Sequence, residues 1–342
     1  MRRSHCGGPG YTRRRRGTGF EYLDPLGRRV DDPRAIARFQ SLVIPPAWHD
    51  VWICPYATGH IQAIGTDEAG RRQYIYHEEW RESTNAIKHQ RVLALAAALP
   101  GARRLVSGHL RSRKLDRNRA LAAAFRILDQ ASLRVGSEQY AVRYATFGLA
   151  TLMRDHSRVL GEHVEFAFPG KGSQQIAINL RDRPLARVTS QLVDRKDPDP
   201  KLLAWIDGAG TWHHITSTDV NSYIREITGG PFSAKDFRTW NATVLMAVEL
   251  SRLFDAEGKI SSAIVRQAVD QVAAHLCNTP AVARSSYIDR RVIELFEDHV
   301  MLPPELALRR PPTGRLVATE TEAVVLEMLQ NPQRARRKFS VD

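Results

Sequence analysis

Val164-Glu-Phe-Ala-Phe168, Pro169-Gly-Lys171-Gly172 and Ile176-Ala-Ile-Asn-Leu180 read as strand, turn and strand. The flanking pieces alternate apolar and polar side chains with period two, the pattern of half-buried strands. Pro-Gly-Lys-Gly is turn chemistry, so the stretch predicts a β-hairpin with Lys171 at its tip. Its surroundings make it decisive. On both sides apolar residues recur at three and four, and Ala-rich pieces such as Ala94–Leu99 and Leu121–Ala124 favour helix. Helices are predicted over 86–99, 115–133, 138–154, 190–206, 217–227, 234–254, 259–277 and 319–330. The larger part of the chain is thus helical, interrupted by one hairpin.

Upstream the period changes. Gly19–Leu23, Val51–Cys54, His60–Ile64 and Arg72–Tyr76 are β-like, separated by turn signals such as Asp67-Glu-Ala-Gly70. A short helix is expected near Asp32–Leu42, before Pro45-Pro46. The fold class is therefore α+β, a small β-rich domain over 20–86 and a mainly helical domain over 87–342. A linker is expected near Ser83–Ala86. Residues 1–19, with Arg13 to Arg16, read as a flexible basic arm, and Arg334–Lys338 as a second basic run near the other end.

Fifty Lys and Arg against 37 Asp and Glu give a formal charge of +13. A field of that sign attracts polyanions, nucleic acid first and an anionic membrane surface second. No apolar run approaches the roughly 18 residues of a transmembrane helix. The basic N-terminus lacks the apolar stretch of a signal peptide. Cys6, Cys54 and Cys277 are too few and too scattered for a disulfide framework, which fits a reducing cytoplasm.

Several residues could act on a phosphodiester. Lys171 could meet a phosphate or protonate a leaving alkoxide. In Ser132-Leu-Arg134-Val-Gly136-Ser-Glu-Gln-Tyr140, Arg134 falls at a helix end before a glycine, with a guanidinium suited to phosphate and Tyr140 close by. Ser233 is a plausible N-cap that puts Lys235 and Arg238 in the first turns of a helix, where two cations oppose the helix dipole unless an anion binds. Downstream, Leu276-Cys-Asn278-Thr-Pro-Ala-Val-Ala-Arg-Ser-Ser-Tyr287 brings an amide and a phenol. A phenol with pKa near 10 needs nearby cations or a base to act as a nucleophile. His275 and Cys277 alone make a weak metal signal, with no second cluster to complete a site.

Taken in order, Arg134, Lys171, Lys235-Asp-Phe-Arg238-Thr, Asn278 and Tyr287 resemble the catalytic set of type IB DNA topoisomerases. The similarity runs from about residue 20 to 298 and is greatest to the poxvirus-like and bacterial branch. Thr146-Phe-Gly-Leu-Ala-Thr-Leu152 and Phe168-Pro-Gly-Lys171 look like that branch too, and Gln73-Tyr74-Ile-Tyr76 resembles the strand it lays in the major groove.

The resemblance implies that Tyr287 attacks a phosphodiester, leaving a 3′-phosphotyrosyl link and a free 5′-hydroxyl. Arg134 and Arg238 would hold the non-bridging oxygens, and Lys171 would be the general acid. Gln73, Tyr74, Tyr76, Tyr140 and Lys235 are expected to touch DNA. It further implies a cytoplasmic, nucleoid-associated monomer that clamps double-stranded DNA without ATP or an obligatory metal, Mg²⁺ being stimulatory at most. Three departures stand out. Asn278 occupies a position where many members carry histidine. Ser137 sits where the family contacts a phosphate, and Gly172 where poxviral relatives place a carboxylate. Two readings stay open beside this one. Tyrosine site-specific recombinases use similar chemistry, but usually with histidine at the position of Lys235 and with a helical N-terminal domain. A basic nucleoid-binding protein would use charge alone.

Overall fold

The computed structural model describes residues 1–308 and 317–341. It divides into two compact units, Met1–Lys88 and His89–Asp342.

The first unit is built on strands β1 (Tyr11–Arg16), β2 (Gly19–Leu23), β3 (His49–Ile53), β4 (Ile61–Thr66) and β5 (Arg72–Tyr76), with helix α1 (Pro33–Ser41) between β2 and β3. The strands form one antiparallel sheet in the order β2-β1-β3-β4-β5. Asp32 caps α1, accepting the N–H of Arg34, and Pro33 occupies the first helical turn where its missing N–H costs nothing. Phe39 of α1 is buried with Val51, Ile53 and Ala63, and the rings of Tyr11 and Tyr22 lie about it at 4.8 and 5.0 Å.

The basic arm expected over 1–19 is not an arm. Tyr11–Arg16 pairs with β2 and β3, and Arg2 bridges to Gly59. The arginine run misled because its alternate members differ. Arg13 turns its guanidinium onto the carbonyls of Ile44, Pro45 and Trp48, whereas Arg14 and Arg16 lie on the exposed side and pair with Glu21.

The second unit begins inside helix α2 (Glu78–Leu110), which also contains the Ser83–Ala86 segment expected as a linker. Then come α3 (Arg117–Ala131) and α4 (Glu138–Tyr144), and after them strands β6 (Ser157–Leu160), β7 (His163–Pro169) and β8 (Gln175–Arg181). Helix α5 (Arg183–Val193), strands β9 (Ala204–Ile206) and β10 (Trp212–His214), and helices α6 (Ser217–Thr228), α7 (Ala234–Glu257), α8 (Ser262–Leu276), α9 (Pro280–Ser286) and α10 (Arg290–Glu297) follow. Helices α11 (Pro304–Ala307), α12 (Thr319–Gln330) and α13 (Pro332–Lys338) close the chain.

Helix α3 is buried from Arg119 to Ala131 except at Arg126, and α7 buries most of its length from Ala234 to Leu253. Phe125 and Phe237 meet edge to face at 5.1 Å between the two. β7 and β8 form the expected hairpin, extended by β6. The helix expected over 138–154 stops at Tyr144, and that expected over 190–206 is the end of α5, a loop and β9. The loop is held by Arg195, which donates to carbonyls of Leu192, Asp199, Lys201 and Leu202. The basic run Arg334–Lys338 lies in α13, where Arg336 pairs with Asp298 and Lys338 with Glu327. Among the described residues no helix is long and apolar enough to cross a membrane.

Candidate active site

Arg134 lies just beyond α3. That helix closes on Ser132 in the left-handed conformation (φ 54°, ψ 29°), and Gly136 (φ 88°) turns the chain again. The second turn is pressed against Gly148. A Cβ on Gly148 would stand 2.6 Å from the Arg134 carbonyl oxygen, so that position needs glycine. The N–H groups of Leu149 and Ala150 bond to the carbonyls of Arg134 and Val135 at 2.9 and 2.7 Å. The Thr146–Leu152 motif thereby fixes the backbone from which Arg134 projects.

Arg238 comes from the second turn of α7. Asp236 anchors the start of that helix, its carboxylate accepting the N–H and hydroxyl of Ser233 at 2.9 Å each and pairing with Arg91 at 2.6 Å. Although Lys235 is three residues from Arg238, it is exposed while Arg238 is 5% exposed. The Arg238 guanidinium donates to the carbonyl oxygens of Ser132 and, at 2.8 Å, Leu276. Its Nε is buried without a partner, and no carboxylate pairs with it among the described residues. Burial, reinforced by the charge of Arg134, lowers its pKa.

The far side of the site is the end of α8. Cys277 takes the left-handed conformation there (φ 49°, ψ 56°). Asn278 follows, and its Oδ1 accepts a hydrogen bond from Arg134 Nη2 at 2.5 Å. A guanidinium can only donate, so this contact fixes which way the amide points. Nδ2 is then the free donor, buried and without a partner.

Thr279 and Pro280 start α9, which ends on Tyr287. Buried Thr243 of α7 accepts the Asp289 N–H at 3.2 Å and lies 3.4 Å from the Tyr287 carbonyl oxygen. The half-buried phenol ring stands beneath Arg238, the guanidinium carbon 5.1 Å from the ring centroid. Burial raises the pKa of the phenol, but the charge and N–H of Arg238, with the charges of Arg134 and Lys235, outweigh it and bring it below its ordinary value.

Lys171 occupies the turn of the hairpin and is exposed. It lines one cleft of about 290 Å³ together with Ser132, Arg134, Arg238, His275 and Cys277. Burial and the neighbouring Arg238 push the His275 pKa down to about 4, so its ring is neutral near pH 7.

The remaining expected residues have their own surroundings. Tyr140 is exposed on α4, its ring 5.5 Å from that of Tyr144. In the first unit Tyr74 and Tyr76 are exposed on edge strand β5, their rings stacked at 6.1 Å, and Gln73 donates to Asp67. Sequence reading passed over Ser132, Asn241 and Thr243. The last two follow Arg238 by three and five positions in α7, and that spacing from a candidate ligand was the available signal. No group of three or more potential metal ligands is assembled among the described residues.

A family model of the eukaryotic DNA topoisomerase I catalytic core matches residues 77–300, and one of the bacterial DNA topoisomerase IB N-terminal domain matches residues 19–67. DNA topoisomerase 1B of Acanthamoeba polyphaga mimivirus is 26% identical over 298 residues, covering 85% of this chain and 88% of the relative. DNA topoisomerase 1B of vaccinia virus (strain Copenhagen) is 20% identical over 289 residues, covering 82% and 87%. A solved structure of the XerH site-specific recombinase bound to its difH substrate aligns with a TM-score of 0.33 and 13% identity, over 68% of this chain and 59% of that one, a likeness too slight to carry an argument. The catalytic-core match alone spans more than half of the chain, and with the bacterial N-terminal match before it the chain belongs to the type IB DNA topoisomerases.

Proposed function

We propose that Tyr287 is the nucleophile of a strand-passage-free relaxation reaction on duplex DNA. Its phenolate oxygen attacks a backbone phosphorus, the bond to the 5′-oxygen breaks, and a 3′-phosphotyrosyl ester forms. Lys171 delivers the proton that the departing 5′-oxygen needs. Arg134, Arg238 and the Asn278 amide hold the non-bridging oxygens, where charge grows in the transition state. The free 5′-end rotates, and its hydroxyl then attacks the ester to restore the strand and release Tyr287. The ester conserves the energy of the broken bond, so ATP is not needed, and side-chain cations take the place of an obligatory metal.

The observation that carries this reading is the buried Arg238. It stands against the Tyr287 ring with no carboxylate partner among the described residues, while the Asn278 amide donor beside Arg134 is also unmatched. An isolated charge withdrawn from water costs several kcal/mol, roughly, and a phosphate oxygen would offset that cost for both groups. The cations that would bind the phosphate also depress the phenol pKa, which supports Tyr287 attacking without a carboxylate base.

We further propose that the protein acts as a monomer on the nucleoid in the cytoplasm. Tyr74, Tyr76, Gln73, Tyr140 and Lys235 would meet DNA outside the reacting phosphate. The exposure of Tyr74, Tyr76, Tyr140 and Lys235 and the net charge of +13 support the DNA contacts. The test is relaxation of a supercoiled plasmid in EDTA without ATP, comparing the wild type with Tyr287→Phe. The wild type should relax it and leave a 3′-linked covalent adduct on denaturation, and the variant should do neither. Relaxation by Tyr287→Phe, or an absolute need for Mg²⁺, would overturn the mechanism.

A further inference from the structure

Two carbonyl oxygens hold Arg238, one at the end of α3 (Ser132) and one at the end of α8 (Leu276). A second set of hydrogen bonds ties the same three segments together beside it. Asn241, three residues after Arg238 and on the same side of α7, donates from Nδ2 to Ser132 Oγ at 2.8 Å and to the Asp129 carbonyl at 3.2 Å. His275, the residue before Leu276, places Nε2 3.4 Å from the same Ser132 Oγ. Ser132 is 1% exposed and Asn241 8% exposed, so these bonds form out of water, where a missing partner is expensive.

We propose that Asn241, Ser132 and His275 form a hydrogen-bonded strut that positions Arg238 for the reacting phosphate, by fixing the separation of the α3 and α8 carbonyls that grip its guanidinium. None of the three is a catalytic residue, because each acts through Arg238. The inference rests on the reading of Arg238 as a phosphate ligand.

Three features support a positioning role over simple packing. First, Ser132 adopts a left-handed backbone (φ 54°) that disfavours any residue with a Cβ. Its hydroxyl is the one part of it that both neighbours hold, and its carbonyl is the part that Arg238 uses. Second, the strut is neutral. A protonated His275 would set a second buried cation against Arg238, and burial together with Arg238 keeps the ring unprotonated near pH 7. Third, no carboxylate pairs with Arg238 among the described residues, so beside its contact with Tyr287 the two carbonyls, and what fixes them, orient the guanidinium.

Single-turnover cleavage of a duplex whose cut 5′-strand is too short to stay bound isolates the chemical step. The variants are Ser132→Gly, His275→Leu and His275→Gln, each with noncovalent DNA affinity measured in parallel. Glycine relieves the left-handed strain and keeps the carbonyl but removes the hydroxyl. Glutamine can place a hydrogen-bonding amide atom, donor or acceptor, where the imidazole Nε2 stands, and leucine cannot. Ser132→Gly and His275→Leu should cleave about 10- to 100-fold more slowly, the loss expected when a transition-state contact is mispositioned. DNA affinity should stay within about threefold, because no residue that touches the phosphate is removed, and His275→Gln should recover most of the rate, with thermal melting confirming that each variant is folded. Wild-type cleavage by folded Ser132→Gly would overturn the strut, and so would a His275→Gln rate as low as that of His275→Leu. Arg238→Ala in the same assay separates the two claims. If it cleaves normally, the phosphate-ligand reading itself falls. If it fails while the strut variants are normal, only the strut falls.

Discussion

The Asn278 amide can be tested by changing one atom at a time. Its Oδ1 is committed to Arg134 and its Nδ2 is a buried, unused donor. Asn278→Ala removes both. An oxyanion donor is worth roughly 3–4 kcal/mol, and a short neutral amide should give less, about 1.4–2.7 kcal/mol, so cleavage should slow about 10- to 100-fold. Asn278→Asp keeps an acceptor for Arg134 but turns a carboxylate oxygen toward the phosphate. Two like charges about 4 Å apart at an effective dielectric of about 20 repel by about 4 kcal/mol, so this variant should be slower by about a thousandfold. Asn278→His restores a donor and should come within about tenfold of wild type. The assay is rapid-quench cleavage with enzyme in excess, read as covalent adduct on a denaturing gel. The predicted order is asparagine and histidine, then alanine, then aspartate. An aspartate variant faster than alanine would refute the reasoning, because it would mean that the residue serves only to orient Arg134.

Lys171→Ala should slow cleavage of ordinary DNA by about 10²- to 10⁴-fold, the range of a lost general acid. With sulfur in place of the departing 5′-oxygen, which leaves without a proton, its rate should approach that of the wild type, and an equal defect on both substrates would remove Lys171 from that role. Cations hold the Tyr287 phenol below its ordinary pKa of about 10, Lys235 among them. Cleavage should therefore rise with pH as the phenolate forms and level off below that value. Exposed Lys235→Ala removes a charge that favours the phenolate, so its plateau should shift to higher pH, and an unmoved profile would refute the link. Buried Arg103 pairs with Asp129 at 2.7 Å and with Glu322 of α12. Arg103→Ala leaves two carboxylates facing each other and should lower stability by about 3–5 kcal/mol, measured by urea unfolding.

The fold was legible where local chemistry decided it. The hairpin around Lys171 follows from alternation and a Pro-Gly-Lys-Gly turn, and α7 begins at the Ser233 that its sequence marks as a cap. The basic run was misread because charge is visible in sequence while pairing is not. Arg13 is absorbed by three carbonyls some thirty residues away, which no window around it could reveal. The same limit applies at the site. The order Arg134, Lys171, Arg238, Asn278, Tyr287 marked the candidates, yet the orientation of the amide rests on a contact between residues 144 positions apart. Ser132 carried no signal at all, since a left-handed serine looks in sequence like any other helix end.

Charge compensation elsewhere in the molecule gives the site its meaning. The buried carboxylates Asp129, Asp182, Asp236 and Asp289 each pair with an arginine. Among the buried arginines, Arg103 and Arg195 have carboxylate partners, and Arg119 feels the charge of Asp116. Arg238 differs, because the charged side chain that weighs most on it is Arg134, of the same sign. If buried arginines were left unpaired by chance, they should be scattered through the core, each as costly as the next. Instead Arg238 stands over the phenol and at the cleft that Arg134 and Lys171 also line, and Arg134 holds the amide whose Nδ2 is unmatched. On the proposed reading, a phosphate would meet donors already in place, and little reorganisation would be needed as charge develops on it. That is the electrostatic preorganisation a phosphoryl transfer requires.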